Sequence, residues 1–286
     1  MSDKTHELVG RRALIVALAV VLASSAAHAQ PFREEIVRVP AAGGASLVTT
    51  VKRSSDGARR PLAVINHGSP AEGERASLRP IYASLSAWFI SRGYVVALPL
   101  RRGYGETGGD WAETYGRCAA PDYYTAGLHG ASDIRATIDH MRTLSYVATD
   151  RTIVVGQSAG GWATVALSSL NPPGVPGMIN FAGGRGGHQP LPGGGIGNCQ
   201  PEALVKAAAR YGATARVPML WIYTRNDSFF EPALARRMVE AYVGAGGHAA
   251  LKALGPFARD GHTLAGSDNG QAIWSPLLAA FLAGLR

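Results

Sequence analysis

Apolar residues along the chain fall in short runs that switch between two periods. Glu34 to Val39 and Ser46 to Arg53 alternate apolar with polar positions, the pattern of half-buried strands, and Ala41-Ala42-Gly43-Gly44 between them suits a hairpin. From Pro61 onward the strand-like runs become almost continuously apolar: 61–66, 94–99, 152–155, 177–181, 218–223 and 248–254. Between them lie stretches with helical spacing, at about 80–92, 124–142, 162–170, 201–211, 232–243 and 271–285. A strand apolar on both sides needs cover on both faces. The pattern therefore predicts an α/β fold, a mostly parallel eight-stranded sheet with helices on both faces, and no internal repeat interrupts it. In such sheets the working groups collect just beyond the carboxyl ends of the strands.

One strand end stands out. The β-branched run Thr152 to Val155 passes through Gly156-Gln157-Ser158-Ala159-Gly160 into an apolar helix, and the small residues let strand and helix approach closely around an exposed serine. Two further strand ends carry Asp227, in Thr-Arg-Asn-Asp, and His262, in Asp-Gly-His-Thr. A serine hydroxyl is a weak nucleophile and needs a base in contact. The base needs an acceptor to fix its tautomer. Ser158, His262 and Asp227 supply these three roles in a workable chain order, whereas Asp260 lies too near His262 in sequence to face it without folding back. Backbone N–H groups of Ala159 and Ser69, the latter in His67-Gly68-Ser69 after the strand at 61–66, are the expected donors to an oxyanion. His67 itself reads as a brace of that loop.

Other features change this picture less. Gly103-Tyr-Gly-Glu-Thr-Gly108 matches a dinucleotide fingerprint in letters but continues into a loop instead of opening a helix. His129 and Asp133 share a helix face, where a solvated surface is the ordinary reading. No metal and no cofactor is expected. Trp111, Trp162 and Phe181 are expected to line an apolar pocket, and Arg102 and Arg185 to meet a substrate carboxylate. Cys118 and Cys199 are the only cysteines. They fall in the two longest loops and are expected to form a disulfide joining 101–123 to 183–200 as a wall beside Ser158.

The amino terminus is read separately. Lys4, Arg11 and Arg12 precede an apolar run from Ala13 to Ala23 and then Ala27-His28-Ala29, which predicts a signal peptide at 1–29 and one domain over 30–286. That run is shorter than the ~20 residues of a spanning helix, so export to the periplasm or medium without stable membrane insertion is expected. A formal charge of +8 is spread thinly, with no Lys/Arg block, which argues against nucleic acid as a partner.

Together Asn66-His67-Gly68, Arg102-Gly103-Tyr104-Gly105, the Gly156 to Trp162 turn, Asn226-Asp227 and Asp260-Gly261-His262 resemble the α/β-hydrolase superfamily. Within it they are similar to secreted relatives of dienelactone hydrolase and to the catalytic domain of prolyl oligopeptidases, over nearly all of 36–286. The resemblance implies an α/β-hydrolase fold and a serine hydrolase acting on a small ester or a short peptide. A carboxylic ester hydrolase working through an acyl-enzyme is the expected function. A peptidase or amidase, or a non-catalytic binding protein on the same scaffold, are the alternatives.

Overall fold

A computed structural model describes residues 32–70, 73–190 and 194–285. The expected signal peptide lies outside the described residues. In chain order the strands are β1 (Phe32–Pro40), β2 (Ser46–Ser54), β3 (Arg60–Asn66), β4 (Val95–Pro99), β5 (Val147–Gln157), β6 (Gly177–Phe181), β7 (Gln189–Pro190), β8 (Ile196–Gly197), β9 (Met219–Thr224) and β10 (Ala249–Leu254). The helices are α1 (Ala83–Ile90), α2 (Tyr123–Met141), α3 (Ala159–Ser168), α4 (Pro201–Gly212), α5 (Pro232–Gly244) and α6 (Gln271–Gly284).

Eight strands form one sheet in the order β1-β2-β4-β3-β5-β6-β9-β10. The β1–β2 pair is antiparallel, as the hairpin pattern predicts, the β2–β4 pair is antiparallel as well, and every later pair of this sheet is parallel. Successive residues of the inner strands bury on opposite faces, because side chains alternate across a pleated strand. Leu62, Val64, Val95, Ala97 and Val154 join Ile134 of α2, Trp162 of α3, Leu204 of α4 and Met238 of α5 in one core. Ala63, Ile65, Val96, Leu98 and Val155 join Trp88 and Phe89 of α1 and Trp274 of α6 in the other. This is why the strand runs read as continuously apolar. The eight-stranded, two-faced α/β architecture is the one the hydrophobic pattern predicts.

Several boundaries differ from the pattern by a few residues, β5 beginning at Val147 instead of Thr152 among them, and two of the differences border the carboxyl edge. Helix α1 begins at Ala83 instead of near Pro80, because Tyr82 takes a left-handed backbone with φ 41°. Helix α3 starts at Ala159, directly after Ser158, so the turn is tighter than the run from Trp162 suggests.

Candidate active site

Ser158 sits between β5 and α3 with φ 55° and ψ −120°, a backbone that costs a non-glycine residue about 1–3 kcal/mol. Neighbouring segments hold it there. Ser158 N–H donates to the Phe181 carbonyl at 2.9 Å, and the Ser158 carbonyl accepts from Trp162 N–H at 2.9 Å and Gly184 N–H at 3.3 Å. The turn closes only because Gly160 lacks a side chain: a Cβ there would run into the carbonyl oxygens of Asn66 and His67. Gly160→Ala is accordingly expected to force α3 away from the end of β3, at a cost of roughly 1–3 kcal/mol, with activity falling further than stability. Urea midpoints measured beside ester turnover check this; an unchanged midpoint with full activity would refute so close an approach.

Asp227 and His262 follow β9 and β10, and both are buried. His262 Nδ1 lies 3.0 Å and 3.2 Å from the two carboxylate oxygens of Asp227. With Nδ1–H donating to the acid, Nε2 is the nitrogen left to take a proton. Asp227 Oδ1 also accepts from the N–H groups of Phe229 (2.9 Å) and Phe230 (3.0 Å), so the carboxylate is oriented by its own loop. The ring of Phe229 stacks on His262 with centroids 4.1 Å apart. Asp260 has a different task from the acid. Its Oδ1 accepts from the N–H groups of His262 (3.0 Å) and Ser228 (3.1 Å), joining the histidine loop to the acid loop.

Two cavities meet at this edge. One, of about 700 Å³, is lined by Ser158, Ala159, Arg75, Arg185, Trp111 and Phe229, among others. The other, of about 620 Å³, is lined by His262, Gln157, Ile81 and Tyr82, among others. Ser69 and Pro70 border both. Ala159 is the first residue of α3, so its N–H has no acceptor within the helix. Gly68 N–H, by contrast, donates to the Tyr82 hydroxyl at 3.3 Å. His67 braces the loop as the sequence reading expects. Its Nδ1 lies 2.7 Å from the Gly68 carbonyl, and Nε2 accepts from Arg101 N–H at 3.3 Å. Burial, with repulsion from Arg101, pushes its pKa down to about 3 and keeps the ring neutral.

Of the residues expected to meet substrate, the structure brings Arg185 and Trp111 to the Ser158 cavity, whereas Phe181 is buried and lines neither cavity. Trp162 is fully buried between α2 and α3, with Nε1 donating to the Tyr123 carbonyl at 2.8 Å, and lines neither cavity. Arg102 is turned away and held by Asp133 at 2.7 Å. Asp133 is thereby an ion-pair partner, and among the described residues no group of three or more His, Cys, Asp or Glu is placed to hold a metal. Arg185 is paired with Glu113, as is Arg101, and all three are buried. Two guanidiniums against one carboxylate leave an excess positive charge beside the Ser158 cavity. Arg185 Nε and Arg101 Nη1 are buried without a hydrogen-bond partner among the described residues.

Cys118 and Cys199 form the expected disulfide, and Cys118 lines the Ser158 cavity. It closes 81 residues of chain, a constraint worth about 4.5 kcal/mol by the chain-entropy relation. The double change Cys118→Ser with Cys199→Ala is expected to lose several kcal/mol in urea unfolding and to raise KM more than it lowers kcat. Unaltered unfolding and KM would show that the bridge does not support the wall.

Tyr82, Gln157, Phe229 and Arg75 were not anticipated as site residues. Only Gln157 had a local signal, its place inside the turn motif.

A sequence model of the prolyl oligopeptidase family matches residues 82–173, from the start of α1 past the serine turn. No curated protein matches the chain in sequence. Solved structures match over most of its length. The Pyrococcus furiosus esterase Pf2001 aligns with a TM-score of 0.61 at 15% identity, covering 89% of this chain and 93% of its own. A Klebsiella pneumoniae protein described as a dienelactone hydrolase aligns at 0.57 and 15% identity, covering 87% and 98%. The Pyrococcus horikoshii acylaminoacyl peptidase aligns at 0.64 and 18% identity, covering 89% of this chain but 42% of the peptidase. The chain has the α/β-hydrolase fold and, from Tyr82 through the serine turn, is similar to the prolyl oligopeptidase family.

Proposed function

We propose that the chain is a serine hydrolase that cleaves a carboxylic ester through an acyl-enzyme. The observation that carries this reading is the His262–Asp227 pair, bonded at 3.0 Å and set at the same sheet edge as the strained Ser158 turn. Ser158 Oγ attacks the ester carbonyl as its proton passes to His262 Nε2, and Asp227 stabilises the imidazolium. The N–H groups of Ala159 and Ser69 receive the developing oxyanion. His262 then returns the proton to the departing alkoxide. A water, deprotonated by the same nitrogen, releases the acid and frees Ser158. No cofactor enters this cycle.

The acyl half is assigned to the cavity that Ser158 and Ala159 line. Arg75 and Arg185 are its charged residues among those described, and no acidic side chain among the described residues lines either cavity. Such a lining suits a polar or anionic acyl group and offers no described carboxylate to the ammonium of a peptide amino terminus, which favours ester over aminopeptidase chemistry. Export is part of the proposal. The Cys118–Cys199 bridge fits an oxidising compartment, and no helix among the described residues is long and apolar enough to cross a membrane.

The test compares a short-chain p-nitrophenyl ester with an aminoacyl-prolyl anilide, together with labelling by a fluorophosphonate. Ester turnover and labelling that both vanish in Ser158→Ala support the proposal. Serine-dependent anilide cleavage would make the protein a peptidase, and an unlabelled wild type would leave a binding protein on a hydrolase scaffold.

A further inference from the structure

The two cavities differ in the catalytic group they expose, and that difference sorts the two halves of a substrate. In acyl transfer the histidine hands its proton to the leaving oxygen, so the leaving alcohol must lie on the imidazole side of the tetrahedral centre. Ser158 and Ala159 line one cavity and His262 the other, with Ser69 at the border. We propose that the His262 cavity is the alcohol site and that it is built for a bulky, uncharged, apolar alcohol such as an aryl-methyl group. This rests on the ester-hydrolase reading of Ser158.

The lining argues for that chemistry because its polar groups are largely spent on one another. The Tyr82 hydroxyl donates to Gln157 Oε1 at 3.0 Å and accepts from Gly68 N–H. Gln157 Nε2 donates to the His262 carbonyl at 3.2 Å, so both ends of this carboxamide are engaged. The Thr263 hydroxyl donates to the Asp260 carbonyl at 2.8 Å. Arg79, the only Lys, Arg, Asp or Glu lining this cavity among the described residues, is paired with Glu106 at 3.2 Å at the surface. A lining satisfied in this way gives a sugar or polyol hydroxyl little to bond and does not pay back its lost water. Hydrocarbon remains: Leu78, Pro80, Ile81 and the ring of Tyr82. Ile81 is 64% exposed, the most exposed large apolar side chain among the described residues, and it sits on this cavity.

The left-handed backbone of Tyr82 serves the same arrangement. Its strain sets the phenol over Gly68 and Gln157 and begins α1 three residues late, leaving Pro80 and Ile81 outside the helix. Burial pushes the phenol pKa up to about 12, so the group stays neutral. Gln157 thereby ties the alcohol cavity to the loop that carries the catalytic histidine.

Benzyl acetate and methyl phenylacetate test the assignment well, being constitutional isomers with the ring on opposite sides of the ester. Rates of kcat/KM are measured for both and for methyl acetate, in the wild type and in Ile81→Ser. The expected result is that benzyl acetate exceeds methyl acetate by roughly 10–100-fold, the range that added apolar groups give in a fitted pocket. Ile81→Ser is expected to cut benzyl acetate by about 5-fold or more and to leave methyl phenylacetate unchanged, since one exposed contact is lost on one side only. Labelling of Ser158 by diethyl fluorophosphonate, whose alkoxy groups are small, is expected to proceed at the same rate in both proteins. Equal rates for benzyl and methyl acetate would overturn the alcohol site, as would an Ile81 effect confined to methyl phenylacetate. Loss of labelling in the wild type would overturn the catalytic reading beneath it.

Discussion

Ser158→Ala is expected to lower kcat for an ester by about 10⁶, close to 8 kcal/mol of barrier, with KM little changed. The serine hydroxyl is used only once the bond to carbon begins to form, so its removal leaves ground-state binding intact. His262→Ala is expected to cost about as much, and Asp227→Asn nearer 10⁴. Asn is the informative replacement for the acid. Asp227 Oδ1 also accepts from the N–H groups of Phe229 and Phe230, and an amide oxygen preserves those bonds while disturbing the histidine tautomer. Because the three groups act as a unit, the double variant Ser158→Ala with His262→Ala should be no slower than either single one. Losses that add in full across the double variant would mean that serine and histidine serve different reactions, and the acyl-enzyme scheme would fall.

The parts of this site that were legible in the sequence are those fixed locally. A β-branched strand, a serine between small residues and an apolar helix specify the turn within about ten residues, whatever the remainder of the chain does. Asp227 and His262 were legible because the sheet is parallel, which sends every strand end after β3 to one edge. The misread residues depend on rotation or on distant partners. Trp162 is four residues past Ser158, but Ser158 caps α3 with a non-helical backbone, so the two side chains do not share a helix face, and Trp162 packs against α2, where it bonds the Tyr123 carbonyl. Arg101 and Arg102 are adjacent, and no periodicity tells which one turns inward. Asp133 captures Arg102, and Glu113 captures Arg101 together with Arg185, which lies 72 residues further on. Tyr82 is the clearest such case, since its left-handed backbone follows from what its hydroxyl reaches across the fold.

Glu113→Gln is expected to destabilise the folded protein by about 3–5 kcal/mol, because it leaves the guanidiniums of Arg101 and Arg185 buried without a counter-charge. The Tyr104 hydroxyl, which donates to Glu113 at 3.3 Å, keeps an acceptor in the amide, so the loss is chiefly one of charge. The dependence on pH separates this cluster from its neighbour His67. Burial by itself would raise the Glu113 carboxyl, but Arg101 and Arg185 outweigh burial and hold its pKa at about 2. Its stabilisation is complete above the ordinary value of 4.5 and is lost as the pH falls from there toward 2. His67 acts earlier. With a folded pKa of about 3 against 6.5, it makes the unfolded chain bind a proton that the native state refuses, so stability declines as pH drops through that window. Urea midpoints of the wild type should therefore fall below about pH 6.5 and more steeply below about 4.5, whereas Glu113→Gln begins lower and has a shallower second step, to which Glu35, Asp122 and Asp260, also held low, still contribute. The first step should persist in the variant, since removing Glu113 takes away an attraction that favoured protonated His67. A variant as stable as the wild type at neutral pH would mean that the buried positive charge is met by something other than Glu113. The Ser158 cavity could not then owe its cationic character to this cluster.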